Sequence, residues 1–201
     1  MSEHRVCPWW IGYLLANPVR RLLQDPREIL SPHVREGMTV LEPGPGMGFF
    51  TLDLLRLAGA SGRVVAVEIQ SRMLEALKRR ASKAGLLDRL DARLSRPDSM
   101  GLNDLDGAVD FTLAFAMVHE LPAAGRFFAE LSRASKPGAR VLLAEPAGHV
   151  KPPEFEVELQ RAAEAGWKVV DLPAIRRTRA ALLEKTPAPS LAALPSAPSG
   201  L

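Results

Sequence analysis

The sequence predicts a doubly wound α/β fold built on a mostly parallel, seven-stranded sheet with an antiparallel hairpin at its end. Three observations carry that prediction. The stretch Thr39–Leu41 is a short β-rich run ending in Glu42, and Gly44, Gly46 and Gly48 follow at alternate positions. An apolar pattern (Phe49, Leu52, Leu54, Leu55, Leu57) then fits a helix packed on a sheet. A second β-branched run, Val64–Val67, ends in another acid, Glu68. Strand, glycine turn, helix and strand with a terminal carboxylate make the nucleoside-binding half of such a fold. The carboxylate is placed there to take two ribose hydroxyls. Glycines at the turn allow positive φ and close approach of a ligand to the backbone. The helix that follows aims its free N–H groups at whatever occupies the turn.

Bulk properties suit one domain. The chain has 201 residues, 47% of them hydrophobic, enough for a sizeable core. Net charge is +3 with both signs interspersed, which does not call for a nucleic-acid partner. The single Cys7 gives no internal disulfide framework and suits a reducing, cytoplasmic setting. The apolar run Trp9–Ala16 is too short to span a bilayer and lacks a cleavage pattern, so neither a membrane span nor a signal peptide is expected.

The elements follow in order. Residues 1–36 precede the first strand and are dense in large apolar groups, including Trp9, Trp10 and Tyr13. Val19, Leu22 and Leu23 form a short amphipathic pattern that Asp25-Pro26 ends. After Glu68, Ser71 is an expected N-cap, and Met73, Leu74, Leu77 and Ala81 form the buried stripe of a helix ending near Gly85. Lys78, Arg79, Arg80 and Lys83 read as its solvated face. Asp91–Ser95 is a weak third strand, and Val109–Val118 a central strand covered on both faces. Phe127, Phe128 and Leu131 mark the next helix. Lys136-Pro137-Gly138 is a turn before the fifth strand, Ala139–Ala144. Phe155, Leu159, Ala162 and Ala163 mark another helix, Trp167–Val170 a strand, and Arg179–Leu183 closes the terminal hairpin. Residues 186–201, rich in Pro, Ala and Ser, read as a disordered tail.

The glycine turn distinguishes between nucleosides. A dinucleotide fingerprint is Gly-x-Gly-x-x-Gly, whereas here the third glycine comes one residue early and Phe49 fills its slot. Glu42 beside the loop is poor company for a pyrophosphate and suitable for an ammonium. With Glu42, Gly44, Gly46 and Gly48, the stretch resembles motif I of the class I S-adenosylmethionine (SAM) methyltransferases, Glu/Asp-x-Gly-x-Gly-x-Gly. The Lys-Pro-Gly turn makes the chain similar to the small-molecule methyltransferases of ubiquinone and menaquinone biosynthesis. The resemblance covers about Ser31 to Lys185. It implies a SAM-binding domain over 37–185 and an N-terminal helical lid over 1–36, with Trp9, Trp10 and Tyr13 lining the acceptor pocket.

The resemblance also assigns roles along the chain. Glu68 and Ile69 would hold the ribose side, and Asp98, Ser99 and Met100 the adenine. The bland role for Asp98 is the N-cap of the next short helix. His119, Glu120, Glu145 and His149, at the carboxyl ends of the fourth and fifth strands, would converge near the reacting methyl group. Asn/Asp-Pro-Pro-Tyr, which adenine amino-methyltransferases carry at the end of the fourth strand, is absent. The expected activity is methyl transfer from SAM to a small molecule, with His119 as base and Glu120 or Glu145 orienting its ring, and with no metal. The alternatives are a SAM-binding module without transfer and an NAD(P)-dependent oxidoreductase. Neither the acceptor nor the oligomeric state follows from the sequence.

Overall fold

A computed structural model describes residues 24–186 except Pro97. The sequence expectations for Cys7, Trp9, Trp10, Tyr13 and the tail lie outside these residues. Seven strands form one sheet: β1 (Thr39–Pro43), β2 (Arg63–Glu68), β3 (Leu90–Leu94), β4 (Val109–Phe115), β5 (Ser135–Pro146), β6 (Trp167–Asp171) and β7 (Thr178–Lys185). Their order is β3-β2-β1-β4-β5-β7-β6. β1 pairs in parallel with both β2 and β4, and β7 runs antiparallel to its two neighbours, β5 and β6.

The sheet is buried from both sides, as the strand alternation requires. Val40, Val64, Phe111, Leu113 and Leu142 face one core, which α1 (Pro26–Leu30) and α2 (Thr51–Ala58) cover through Leu30, Leu54, Leu55 and Ala58. Leu41, Val65, Val67, Val141 and Leu143 face the other. That core is closed by Phe127, Phe128 and Leu131 of α4 (Ala124–Ala134) and Phe155 and Ala162 of α5 (Pro152–Glu164). α3 (Ser71–Lys83) packs Leu74 and Leu77 on Ala66 of β2. Each of these contacts follows the helical or strand periodicity of the sequence.

Several local expectations change. Asp25-Pro26 starts a helix: the Asp25 carboxylate accepts from the Arg27 N–H at 2.9 Å, and Pro26 occupies the first helical position, while the amphipathic pattern of Val19, Leu22 and Leu23 lies outside the described residues. The cap of α3 is Gln70, so Ser71 is already inside the helix. Lys136-Pro137-Gly138 lies within β5, where Val109 pairs with Ser135 but Phe111 pairs with Arg140. The unpaired residues bulge outward, because proline has no N–H for the ladder and Gly138 takes φ of 74°.

Strand order reverses around β1, whose successor β2 lies on one side and β4 on the other. The crevice at the carboxyl ends of these strands is where an open α/β sheet binds ligands. At the far end, Trp167 is buried and its indole N–H donates to the Phe128 carbonyl at 3.2 Å. Trp167→Ala is expected to lower stability by about 3–5 kcal/mol, read as a shift in the urea midpoint at unchanged slope.

Candidate functional site

The crevice holds a cavity of about 1040 Å³. That is at the top of the roughly 300–1,000 Å³ range of small-molecule sites, so two small ligands can lie side by side. Its floor is the loop after β1. Gly44, Gly46 and Gly48 have φ of 67°, 54° and 81°, values that L side chains rarely adopt. A Cβ on Gly44 would lie 3.1 Å from the Cβ of Met117, and one on Gly48 would strike Leu77. The loop therefore presses against the end of β4 and against α3 at once. α2 begins at Thr51, slightly after the glycines.

Glu68 holds this loop in place. One carboxylate oxygen accepts from the Gly46 N–H at 3.1 Å, and the other from Ile69 at 2.8 Å and Gln70 at 3.0 Å. A carboxylate offers roughly four acceptor positions. The backbone takes three of them. Burial raises the Glu68 pKa despite these bonds. Arg80 adds a second tie, donating to the Met47 carbonyl at 2.5 Å. It is half-buried, not part of the solvated face the sequence suggested.

Glu42 lines the cavity and is buried, with one carboxylate oxygen lacking any hydrogen-bond partner. Burial, with the charge of Glu68 adding to it, pushes its carboxyl up to about 7. An orphaned acid in an apolar wall suits a cationic ligand group and would repel a pyrophosphate. The residues present therefore fit the ammonium of SAM.

On the side of β2 and β3, Ile69, Asp98, Ser99 and Met100 all line the cavity. Glu130 of α4 organises this corner: its carboxylate accepts from the Ser99 hydroxyl at 2.7 Å and the Met100 N–H at 2.8 Å. Sequence reading missed Glu130 because the contact spans about thirty residues. Its only signal is a place three residues past Phe127 on the buried side of α4. Asp98 is not a helix cap, since Leu102 precedes the short helical turn Asn103–Leu105.

On the opposite side, β4 ends at Phe115 and Ala116 takes φ of 56°. The turn Val118–Glu120 follows. Glu145, on β5 and fully buried, accepts from the Val118 N–H at 2.7 Å and lies 2.5 Å from His119 Nδ1. An ionised carboxylate only accepts, so Nδ1 carries the proton and Nε2 is left for the cavity. The bond to Glu145 raises the His119 pKa above its ordinary 6.5. The His149 ring lies 6.2 Å from that of His119. His119, Glu120 and His149 line the cavity, whereas Glu145 stands behind His119. Glu158 of α5 also escaped sequence reading. It is buried with an unpartnered oxygen, and burial together with the charge of Glu145 pushes it up to about 8. Its spacing from Phe155 and Ala162 put it on the apolar stripe, which was a legible signal. Among the described residues, no group of three or more His, Cys, Asp or Glu is arranged to hold a metal ion. No described helix is long and apolar enough to cross a membrane.

Residues 40–138 match a family model described as a methyltransferase domain. A ubiquinone/menaquinone biosynthesis C-methyltransferase from Brucella canis is 28% identical over 116 residues, 58% of this chain and 42% of that protein. The chain thus spans about two fifths of the length of this relative. A mitochondrial ribosomal RNA small subunit methyltransferase from Arabidopsis thaliana is 45% identical, over 62 residues covering 31% of this chain and 16% of its own. A crystal structure of a SAM-dependent methyltransferase from Aquifex aeolicus superposes with a TM-score of 0.79 at 27% identity, covering 89% of this chain and 98% of that one.

Glu42 gives a test with two signs. Its carboxyl shifts from 4.5 to about 7 on folding, so the folded chain holds the extra proton and stability falls as pH rises through that window. Glu42→Gln is expected to stabilise the ligand-free protein at pH 8 by on the order of 1–3 kcal/mol and to match it near pH 5. It should also weaken S-adenosylhomocysteine by about ten- to a hundredfold. Thermal shift and calorimetric titration read the two effects.

Proposed function

Because the chain belongs to the class I SAM-dependent methyltransferases, we propose that it transfers a methyl group to a small-molecule acceptor in the cytoplasm, with His119 taking the acceptor proton. The observation that carries this reading is the pair of groups that share one cavity: an orphaned acid, Glu42, at the end of β1, and a carboxylate-held imidazole, His119, in the turn after β4.

When bound, SAM supplies a methyl group on a sulfonium, which one in-line displacement transfers without a metal. The chain's residues do the rest. Glu42 would pair with the ammonium, Glu68 and Ile69 would hold the ribose side, and Asp98, Ser99 and Met100 would hold the adenine. Phe49, Phe50 and Phe115 exclude water and hold the acceptor's body. Alignment of this kind supplies roughly 7–11 kcal/mol of the barrier, and a base adds about 10²–10⁴-fold. His119 Nε2 accepts the acceptor proton while Glu145 stabilises the imidazolium that forms. The loop between β5 and α5 is short, so the acceptor site draws on the strand-end loops and, by the sequence expectation, on Trp9, Trp10 and Tyr13. The NAD(P) reading would set a pyrophosphate against Glu42.

The neutral imidazole is the base, so activity rises with pH through the His119 pKa, which lies above 6.5. Glu145→Gln is expected to move that limb to lower pH and to cut the plateau by about ten- to a hundredfold. The pH profile of methyl transfer measures both effects. An unmoved limb would show that His119 is not the group titrating.

A further inference from the structure

The loop joining β6 to β7 carries an arginine in a conformation that side chains avoid. Arg177 takes φ of 63°, one of two positive values among the described non-glycine residues, the other being Ala116. Such a backbone persists only where its surroundings over-determine it, and here they do. The Arg177 carbonyl accepts from the Ala147 N–H at 3.0 Å. The preceding carbonyl, of Arg176, accepts from the Gln24 side chain at 3.0 Å. Beyond it, the Thr178 hydroxyl donates to the Ile175 carbonyl at 3.0 Å and Arg179 donates to the Val150 carbonyl at 2.9 Å. Four bonds thus fix the turn, and two of them, to Ala147 and Val150, tie it to the loop that carries His149.

The pinned turn brings Arg177, an exposed residue, to the wall of the cavity. Arg177 lines it beside Pro146, His149 and Thr178, on the side of His119 and away from Asp98 and Ser99. Its side chain has no ion pair or hydrogen bond among the described residues, whereas Arg93, Arg140 and Arg161 are all paired with carboxylates. The adjoining wall is aromatic and apolar, with Phe49, Phe50, Phe115 and Met117.

We propose that Arg177 selects the acceptor, which is a small molecule with an apolar body and one carboxylate held by this guanidinium. The inference rests on the methyl-transfer reading and adds the acceptor's charge to it. A single fork-shaped cation matches one carboxylate in geometry and in charge, and the apolar wall takes the rest of the molecule.

The test is calorimetric titration of the full chain, loaded with S-adenosylhomocysteine, with 2-naphthoate and with its neutral analogue 2-naphthylmethanol. The naphthoate is expected to bind about tenfold or more tightly than the alcohol. Arg177→Gly keeps the left-handed backbone without a Cβ, so the fold is retained while the guanidinium is lost. It should bring the two probes within about twofold and leave S-adenosylhomocysteine affinity unchanged. Arg177→Lys should keep part of the preference. Equal affinities in the native chain, including no binding of either probe, would overturn the proposal, as would a preference that survives Arg177→Gly. If S-adenosylhomocysteine itself fails to bind, the methyl-transfer reading falls. The same titrations without it then still report on Arg177.

Discussion

The Glu68 carboxylate is the interaction on which the site depends. Its three bonds to Gly46, Ile69 and Gln70 fasten a glycine-rich loop to the end of β2. Its three glycines have no side chains to anchor them, so the path of the backbone there is imposed from outside. Packing against Met117 and Leu77, the burial of Met47 against Met73 and Ala76, and the Arg80 bond to the Met47 carbonyl supply further constraints. The acid to which the proposed function gives the ribose also builds the floor of the cavity. Removing its side chain would disturb both, and a loss of affinity there could not be assigned to the ribose alone.

Buried acids of differing condition stand at the cavity wall and behind it. Glu145 is satisfied by a backbone N–H and an imidazole, and so it can hold His119 in one tautomer. Glu42 and Glu158 each keep an unpartnered oxygen, and burial drives both toward the neutral form. The protein thus carries groups that oppose its own folding near neutral pH. Groups of this kind cluster where ligands bind.

The strand pattern was legible because every strand but the weak third carried a β-branched or apolar run, and the central ones led into an acid or a histidine. Glu42, Glu68, His119 and Glu145 fall at such ends, so topology alone brought them to one edge. The resemblance singled out Asp98, Ser99 and Met100, and all three line the cavity. Contacts between distant segments were not legible. Glu130 reaches Ser99 from another helix, Arg80 reaches Met47 from the helix below, and Arg177 is set by a turn with no sequence signature. One local cap also misled, because Ser71 suits a cap by its side chain but the backbone puts Gln70 there.

The last strand of the sheet is not at its margin. β7 slots between β5 and β6, pairing with β5 from Arg140 to Pro146 and with β6 from Trp167 to Asp171. On the ribosome, therefore, both of those partners emerge with unpaired edges and wait for a segment still to be made. Until Thr178–Lys185 arrives, β6 has no neighbour in the sheet at all, and the nascent domain presents two sticky margins in place of one continuous surface. A chaperone that engages this protein during synthesis would find its target there.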